Sequence, residues 1–389
     1  MATAAAVLAA AAAVAALFFH AGARVASARL NRVDRGRGRL TVSEHARALH
    51  RTLRVVDLHD DILLWDRDPL RRSRSGHGDV PRLLEGNVSV QVFSAVTRMP
   101  RGANDAGAPS HGDHVTLLAL ASRWPPRTWG SLLERALHQA GKLRAAAARS
   151  DGALALVTSR AELAAALAAR AGGSDAPRTV AGILAVEGLH ALEGRLAHVD
   201  TLFEAGFRCA GLAHFFDNDV AGSAHGVERG GLTAFGRAVL SRMEQLRMVV
   251  DLAHASTRTV DDVLEAATRP VLVSHTGLQS IRPGPRNLSD DQLRRLASRG
   301  GLVGIGFWEA AAGDISPRGV ARSVRRAVDV AGRDHVALGS DWDGGVTVAV
   351  DSAHLVELTQ ALLDEGSSEQ EVRAVLGENA LRFLLANLP

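Results

Sequence analysis

Short β-branched apolar runs alternate with helix-like segments along most of this 389-residue sequence. Parallel strands that alternate with helices place their C-terminal ends on one face, and eight such units close a barrel. Eight principal runs fit the pattern, at residues 53–59, 88–96, 180–187, 209–214, 248–254, 270–275, 302–307 and 335–341. The sequence therefore predicts an α/β fold, a TIM-type (β/α)8 barrel.

The same pattern suggests how the chain is divided. We predict an apolar signal or anchor segment with an Arg-rich linker at 1–40, followed by a single (β/α)8 barrel domain at 41–389. A ninth apolar run at 153–157 is assigned to an insertion at about 98–178, between the second and third barrel strands. The chain is long enough for one large barrel of this kind.

Residues 2–19 are apolar and rich in alanine, and their length is borderline for crossing a bilayer. One interpretation is an uncleaved anchor, and another is a signal peptide with cleavage near 21–23 or 26–28. Arginines follow the run, so an uncleaved anchor would keep the body cytoplasmic, whereas a signal peptide would export it. We expect a membrane-associated or exported protein, with the side left open, and a homodimer is a further expectation.

The charge argues against a nucleic-acid-binding protein, and the cysteine content excludes a disulfide and a cysteine-based metal site. The pI is about 10.1 but the net charge is only +3, because Lys142 is the one lysine and arginine stays charged at high pH. No aromatic-laced basic patch accompanies the arginines, so we expect no nucleic-acid partner. Cys209 is the single cysteine, which excludes an intramolecular disulfide and a cysteine-based zinc site.

Side chains that bind metals follow the ends of several predicted strands. Residues i and i+2 of an extended chain point to the same side, so His59 and Asp61 should converge. The other strand ends contribute Glu187, His254, His275 and Asp341. Imidazole and carboxylate ligands suit zinc or a similar divalent ion.

The first five of these residues exceed what one tetrahedral ion with an open position requires. They fit two ions that share a carboxylate, as in metal-assisted hydrolysis. We expect His59 and Asp61 to bind one ion, His254 and His275 the other, and Glu187 to bridge them. A single histidine at a strand end is more often structural, but five converging ends would require five separate structural reasons.

Weaker signals lie nearby. His190 follows Glu187 by three residues, His214 ends the fourth run, and Arg286 lies in the loop after the sixth. An arginine there could pair with a substrate carboxylate through two hydrogen bonds. Asp57 and Asp60 are expected to be supporting or capping groups, and Asp343 a turn residue.

With these motifs, the sequence resembles the membrane dipeptidase (renal dipeptidase) family of zinc metallopeptidases, from about residue 53 to 385. The resemblance rests on motifs in the right order: His-x-Asp at 59–61, Asp-Val-Pro-Arg-Leu at 79–83, Gln-Val-Phe-Ser at 91–94, Glu-Gly-Leu-His at 187–190, Asp-Leu-Ala-His at 251–254, Ser-His at 274–275, Arg-Asn at 286–287, Gly-Ser-Asp-Trp-Asp-Gly at 339–344 and Leu-Gly-Glu-Asn at 376–379.

The resemblance implies a zinc-dependent dipeptidase that hydrolyses the peptide bond of free dipeptides with a metal-bridging hydroxide. It implies two Zn²⁺ per chain, bridged by Glu187 and a water or hydroxide. The implied roles are zinc ligation by His59, Asp61, Glu187, His254 and His275, substrate binding by His190 and Arg286, and catalysis by Asp341 with Glu187.

Two departures from the family pattern bear on substrate preference. Asp60 stands where the family usually has asparagine, and the sequence has no tyrosine. An alternative function is a binuclear amidohydrolase that acts on another amide, a lactam or an ester. A catalytically silent binding protein that keeps the barrel is a third interpretation.

Overall fold

A computed structural model describes residues 18–100, 112–170 and 178–389 of the chain. All of the strands below belong to these residues and are numbered in chain order. They are β1 (Arg32–Val33), β2 (Val55–Asp60), β3 (Val88–Val96), β4 (Leu154–Leu156), β5 (Val180–Glu187), β6 (Phe207–Gly211), β7 (Val249–Asp251), β8 (Leu272–Thr276), β9 (Leu302–Ile305), β10 (Val336–Leu338) and β11 (Thr347–Val348).

Eight parallel strands form a closed barrel. The order of hydrogen-bonded neighbours is β3-β2-β10-β9-β8-β7-β6-β5, and β3 also pairs with β5, which closes the ring. Each of the eight predicted runs overlaps one of these strands. The predicted TIM-type (β/α)8 barrel is therefore confirmed.

Helices connect the strands and cover the barrel. The α-helices are Ala23–Leu30, Glu44–Thr52, Val80–Glu85, His114–Ala121, Arg127–Gly130, Leu132–Ala148, Arg160–Arg170, Ala197–Glu204, Ala234–Leu246, Thr257–Ala266, Asp290–Ser298, Glu309–Ala312, Pro317–Ala331, Leu355–Asp364, Glu369–Arg373 and Asn379–Asn387. Single turns of 3₁₀-helix occur at Ile62–Leu64, Leu189–Leu192, Arg333–His335 and Ser352–His354, and π-helical turns at Phe18–Gly22 and Ala374–Glu378.

Many of these helices begin where a side-chain oxygen accepts a hydrogen bond from a backbone N–H of the first turn. Ser256 and Ser316 do so at the start of two barrel helices, and Ser289 forms a complete capping box with Gln292. Such caps satisfy N–H groups that have no partner within the helix. The chain therefore changes from strand to helix at positions that the sequence encodes locally.

The barrel interior is packed closely around strand β8. A Cβ atom on Gly304 would lie 2.0 Å from the Ser274 carbonyl oxygen, and one on Gly339 would lie 1.9 Å from the same atom. Any side chain at these two positions would therefore displace β8. The glycines on β9 and just after β10 allow the strand that carries His275 to sit close to its neighbours.

The predicted insertion at about 98–178 is described in part. The ninth predicted run forms β4, which pairs with β5 at Leu154↔Val180 and lies outside the closed ring. The helix Leu132–Ala148 packs on the barrel, and Nζ of Lys142 lies 2.5 Å from the Leu63 carbonyl oxygen. The division into 1–40 and 41–389 stays a prediction.

The N-terminal part of the described chain lies on the barrel. After the helix Ala23–Leu30, strand β1 pairs in parallel with β11, which follows the last barrel strand. Most of the predicted apolar segment, residues 2–17, lies outside the described residues. Within residues 18–100, 112–170 and 178–389, no helix combines the length and the apolar character needed to cross a bilayer.

Candidate metal centre

Three of the predicted metal ligands meet at the C-terminal end of β2. The Nε2 atom of His59 lies 3.3 Å from Oδ1 of Asp61 and 3.6 Å from Oε1 of Glu187, the last residue of β5. All three side chains are buried. The structure thus brings together the His-x-Asp pair of one strand and the carboxylate of a second strand.

The same carboxylate oxygen also lies close to His254, which follows β7, and to His275, which lies on β8. Oε1 of Glu187 lies 3.0 Å from Nε2 of His254 and 3.4 Å from Nε2 of His275. Two sets of three donor atoms, each within 4.8 Å of one another, therefore share Glu187 and no other residue: His59, Asp61 and Glu187 in one, and Glu187, His254 and His275 in the other.

Several of these donor atoms have no hydrogen-bond partner. Nε2 of His59, Oδ1 of Asp61 and Oε1 of Glu187 are all buried without one. An unpaired buried polar atom is costly, so three that converge require an explanation. Nitrogen and carboxylate oxygen atoms aimed at common points are the donors that zinc and related divalent ions take. The residues present therefore fit a metal centre.

Burial shifts the pKa values of the candidate ligands in the metal-free chain. It raises the pKa of Glu187 well above its usual value, an effect that the charge of Asp61 increases. Burial also raises the pKa of Asp61 and lowers the pKa of His254 and His275 well below the usual value. Neutral imidazole is the form that binds metals, and a nearby cation would favour the ionised carboxylates.

Asp341 lies at the edge of this cluster. Its Oδ1 is 4.0 Å from Nε2 of His59, and burial raises its pKa to about 7. The backbone of Asp341 has φ = 60°, and that of His254 has φ = 62°. Residues other than glycine adopt this left-handed conformation only occasionally, and aspartate and histidine do so more readily than most.

Two aspartates beneath the cluster fix the strand ends. Asp57 accepts hydrogen bonds from the side chains of Gln91 and Ser340 and from the backbone N–H groups of His59 and Ser340. Burial raises its pKa to about 6, although these hydrogen bonds oppose the shift. Asp251 accepts from the backbone of Ser274, next to His275. These contacts hold the candidate ligands in place.

Asp60 also has a supporting position. Its Oδ1 accepts a hydrogen bond from the N–H of Ile62 at 2.7 Å, and its Oδ2 is buried without a hydrogen-bond partner. A Cβ atom on Gly78 would lie 2.1 Å from that Oδ2. Asp60 therefore caps the turn after β2, as the sequence suggested, and Gly78 leaves space for its carboxylate.

Arg286 is buried beside the cluster. Its Nη2 donates a hydrogen bond to the His275 carbonyl oxygen at 2.7 Å, and its Nε has no hydrogen-bond partner. The guanidinium carbon lies 5.7 Å from the ring centre of Trp308. Burial lowers the pKa of Arg286, and the neighbouring Asp341 and Glu187 oppose that shift. The structure thus places one cation at the edge of the carboxylate cluster.

The two histidines near Glu187 differ in position. Nε2 of His190 lies 2.9 Å from the Thr97 hydroxyl, and His190 does not line the cavity over the cluster. His214 does line it, with Nε2 at 3.2 Å from Oε2 of Glu187. Burial lowers the pKa of His190 to about 3 and that of His214 well below the usual value. Of these two residues, His214 is therefore the one that lies beside Glu187 and lines the cavity, although its signal in the sequence was weak.

A cavity opens above the cluster and has a volume of about 780 Å³ with its mouth included. Its wall combines apolar side chains with the polar groups described above. The apolar lining residues are Leu64, Val96, Met99, Phe215, Trp308, Ala310 and Val346.

The model of the family described as membrane dipeptidase (peptidase family M19) matches residues 43–387. Dipeptidase aclJ of Aspergillus oryzae is 33% identical over 220 residues, which are 54% of this chain and 52% of that protein. Dipeptidase verJ of Clonostachys rogersoniana is 33% identical over 212 residues, 53% of this chain and 55% of that protein. The chain thus spans about half the length of these curated relatives.

A solved structure extends the comparison over the barrel. A metallopeptidase from Rhodobacter sphaeroides, crystallised with a phosphinate mimic of the dipeptide L-Ala-D-Ala, is 26% identical with a TM-score of 0.69. The match covers 87% of this chain and 100% of that one.

Proposed function

Because this chain belongs to the membrane dipeptidase family, we propose that it is a zinc-dependent dipeptidase that hydrolyses free dipeptides. One observation carries the proposal. Two sets of three buried donors share Glu187 within a cavity that also contains a buried arginine. The crystallised relative with a bound dipeptide mimic supports a substrate of the same class.

The donor sets suit two ions per chain. His59 and Asp61 would hold one ion, His254 and His275 the other, and Glu187 would contribute to both. Divalent ions held there would supply a water of lowered pKa and polarise the scissile carbonyl. The orphaned donor atoms and the shared Oε1 of Glu187 support two ions, and zinc is the ion that this mixture of imidazole and carboxylate suits best.

Arg286 would bind the terminal carboxylate of the substrate. Arg286 lines the cavity and its Nε has no hydrogen-bond partner, so the guanidinium has hydrogen-bonding capacity for an anion. An arginine–carboxylate pair in a buried site is short and charge-assisted. Because the terminal carboxylate would then be held close to the ions, only a short peptide with a free C-terminus would present its peptide bond to them.

Asp341 and His214 would handle the proton and the developing charge. Asp341 would accept a proton from the attacking water and return it to the leaving amine, so that one water yields two free amino acids. The imidazole of His214, which lines the cavity with Nε2 at 3.2 Å from Oε2 of Glu187, would stabilise the carbonyl oxygen as it becomes negative. We propose His214 for this position because His190 faces Thr97.

Hydrolysis assays of the full chain test the function. The substrates are L-Ala-L-Ala, L-Ala-D-Ala, a dipeptide amide, a β-lactam and an aryl ester, each with and without a chelator. We expect chelator-sensitive cleavage of the free dipeptides. Glu187→Gln should reduce it to background, and Glu193→Gln should not, because Glu193 bonds to Ser131 on the surface. Cleavage of only the lactam or the ester would replace the proposal with the wider amidohydrolase function.

The cellular setting is proposed from the sequence alone. The apolar residues 2–19 would attach the protein to a membrane or direct its export. Fractionation of cells that produce the full chain, followed by N-terminal sequencing, tests both possibilities. A homodimer is a further proposal that sedimentation analysis would test.

A further inference from the structure

Residues 31–34, which we call the N-terminal strap, lie across the loop that follows the last barrel strand. The N–H of Asp34 donates to the Val348 carbonyl oxygen at 2.8 Å, and the N–H of Arg32 to that of Val346 at 3.3 Å. These bonds belong to the pairing of β1 with β11. Two segments more than 300 residues apart in the chain are thus joined at the mouth of the barrel.

Asn31 adds a side-chain contact to the same loop. Its Oδ1 accepts a hydrogen bond from the N–H of Gly345 at 2.8 Å, and Asn31 is almost completely buried. Gly345 has φ = +77°, a conformation that glycine adopts without strain. Asn31 thus contacts the loop at a residue whose backbone has more conformational freedom than most.

The loop that the strap holds is part of the candidate active site. Gly344, Gly345 and Val346 line the cavity together with Asp341. The N–H of Gly344 donates to the Asp341 carbonyl oxygen at 3.2 Å, and a Cβ atom on Gly344 would lie 2.0 Å from Oδ1 of Asp341. The turn that presents Asp341 therefore continues directly into the residues that the strap contacts.

His77 connects the strap to this turn a second time. The N–H of Asp343 donates to Nδ1 of His77 at 2.9 Å, so the ring proton must be on Nε2. That Nε2 lies 3.0 Å from the Arg32 carbonyl oxygen and can therefore donate a hydrogen bond to it. A single neutral tautomer satisfies both contacts, and His77 is fully buried.

Asp343 fixes the other side of His77. Its carboxylate accepts hydrogen bonds from the N–H groups of His77 and Gly78, at 3.0 and 3.2 Å, and forms an ion pair with Arg67. The strap, His77 and residues 341–346 thus form one continuous hydrogen-bonded network.

We propose that the N-terminal strap is a positioning element that holds the Gly344–Val346 wall of the cavity for dipeptide binding. The family match begins at residue 43, so the strap precedes it. Asn31 acts through Gly345 and contacts no candidate metal donor, so its loss should weaken substrate binding and leave metal binding intact. The kinetic part of this proposal rests on the proposed dipeptidase function, and the structural part does not.

Three full-length variants test the strap. Asn31→Ala removes the acceptor for Gly345, whereas Asn31→Asp keeps an oxygen there. Asn379→Ala is the matched control, because Asn379 is equally buried and bonds to the Arg333 and Val336 carbonyl oxygens away from the mouth. The measurements are hydrogen exchange of residues 344–348, zinc content, and kcat and KM for a free dipeptide.

For Asn31→Ala we expect exchange at 344–348 and KM to rise about fivefold each, the effect of losing one hydrogen bond. The zinc content and kcat should stay close to those of the parent. In Asn31→Asp, exchange at 344–348 and KM should stay close to the parental values, and Asn379→Ala should leave both unchanged. Parental exchange at 344–348 in Asn31→Ala would overturn the proposal. If the parent cleaves no dipeptide, the proposed function fails, while the exchange data still decide whether the strap holds the wall.

Discussion

His254 and His275 direct their Nε2 atoms to within 3.0 Å of each other, and Oε1 of Glu187 lies within 3.4 Å of both. The two rings come from successive barrel strands, so this proximity is built into the fold. Burial lowers the pKa of both rings, which leaves them neutral and able to donate lone pairs. A cation between them and Glu187 would satisfy all three groups at once.

Metal removal should therefore destabilise the folded chain. Zinc at about a thousandfold excess over its Kd should add about 4 kcal/mol to the free energy of unfolding for each site. We expect two zinc ions per chain by elemental analysis and a chelator-induced fall in Tm that zinc reverses. His254→Gln should reduce the zinc content to about one. His198→Gln is the control, since that ring bonds to the Leu192 carbonyl oxygen. An unchanged zinc content in His254→Gln would contradict the proposed ligand set.

Arg286 should determine the requirement for a free carboxylate. Arg286→Met removes the guanidinium, so KM for a free dipeptide should rise about 50-fold, as expected for the loss of a charge-assisted pair. The corresponding dipeptide amide should be affected far less. Arg295→Met, which breaks the partly exposed ion pairs with Asp261 and Asp291, should change neither value. Equal losses for acid and amide would mean that Arg286 merely supports the His275 carbonyl.

His214 and His190 offer a paired test. His214→Gln removes the imidazole beside Glu187, so kcat should fall about 10²- to 10³-fold, the usual effect of losing one oxyanion donor. His190→Gln removes a contact with Thr97 and should change kcat only slightly. Zinc content must be measured for both variants, so that metal loss is separated from loss of the donor. The opposite ranking would restore the role that the sequence resemblance implied for His190.

The sequence allowed much of this site to be predicted because strand ends carry it. A buried strand is visible as a β-branched run, and a closed parallel barrel brings the ends of such runs to one face. On this basis the sequence predicts His59, Asp61, Glu187, His254 and His275 as neighbours, and the structure brings all five together. Their roles as ligands stay a proposal.

The positions of His190 and His214 show that proximity in the sequence and proximity in the fold differ. His190 is three residues from Glu187, but Gly188, with φ = +84°, turns the chain away, and the 3₁₀ turn takes the ring to Thr97. His214 is 27 residues away, yet β6 pairs with β5 and brings it to the carboxylate. The pairing of β5 with β6, which a local sequence pattern does not show, places His214 beside Glu187.

The strap could not be predicted for a related reason. Strands β1 and β11 have two residues each, too few to show a periodicity. Their pairing depends on where the barrel places residues 347–348, and that is a property of the complete fold.

Lys142, the one lysine, should contribute to stability by joining the insertion to the barrel. Its Nζ donates to the carbonyl oxygens of Leu63 and Trp65, just after the His59–Asp61 pair. Lys142→Met would leave both oxygens without this donor, so the free energy of unfolding should fall by about 2–3 kcal/mol. Urea denaturation measures this. Arg144→Met on the same helix, whose guanidinium bonds to the Ala205 carbonyl oxygen near the surface, should cost far less. If the free energy of unfolding falls no further in Lys142→Met than in the control, the contacts of Lys142 do not stabilise the fold.

His50 should make the folded state sensitive to mild acid. Its ring is buried, with Nδ1 at 2.8 Å from the Thr359 hydroxyl and Nε2 at 3.1 Å from the Gly86 carbonyl oxygen, and burial lowers its pKa to about 4. The unfolded chain, with a pKa near 6.5, binds a proton first as the pH falls. The contribution of His50 is therefore complete above pH 6.5 and is lost between pH 6.5 and 4, by up to about 3 kcal/mol.

Urea denaturation of the metal-free protein at pH 7.5, 6, 5 and 4.5 measures this loss. Metal-free protein is used because protonation of the metal ligands would otherwise release the metal ions and lower the stability as well. His50→Gln should flatten the decline in stability between pH 6.5 and 4.5 relative to the parent, whatever its stability at pH 7.5. His45→Gln, in which an exposed ring on the same helix is replaced, should keep the parental slope. If His50→Gln and the parent lose stability in parallel, the buried His50 ring is not the group that titrates.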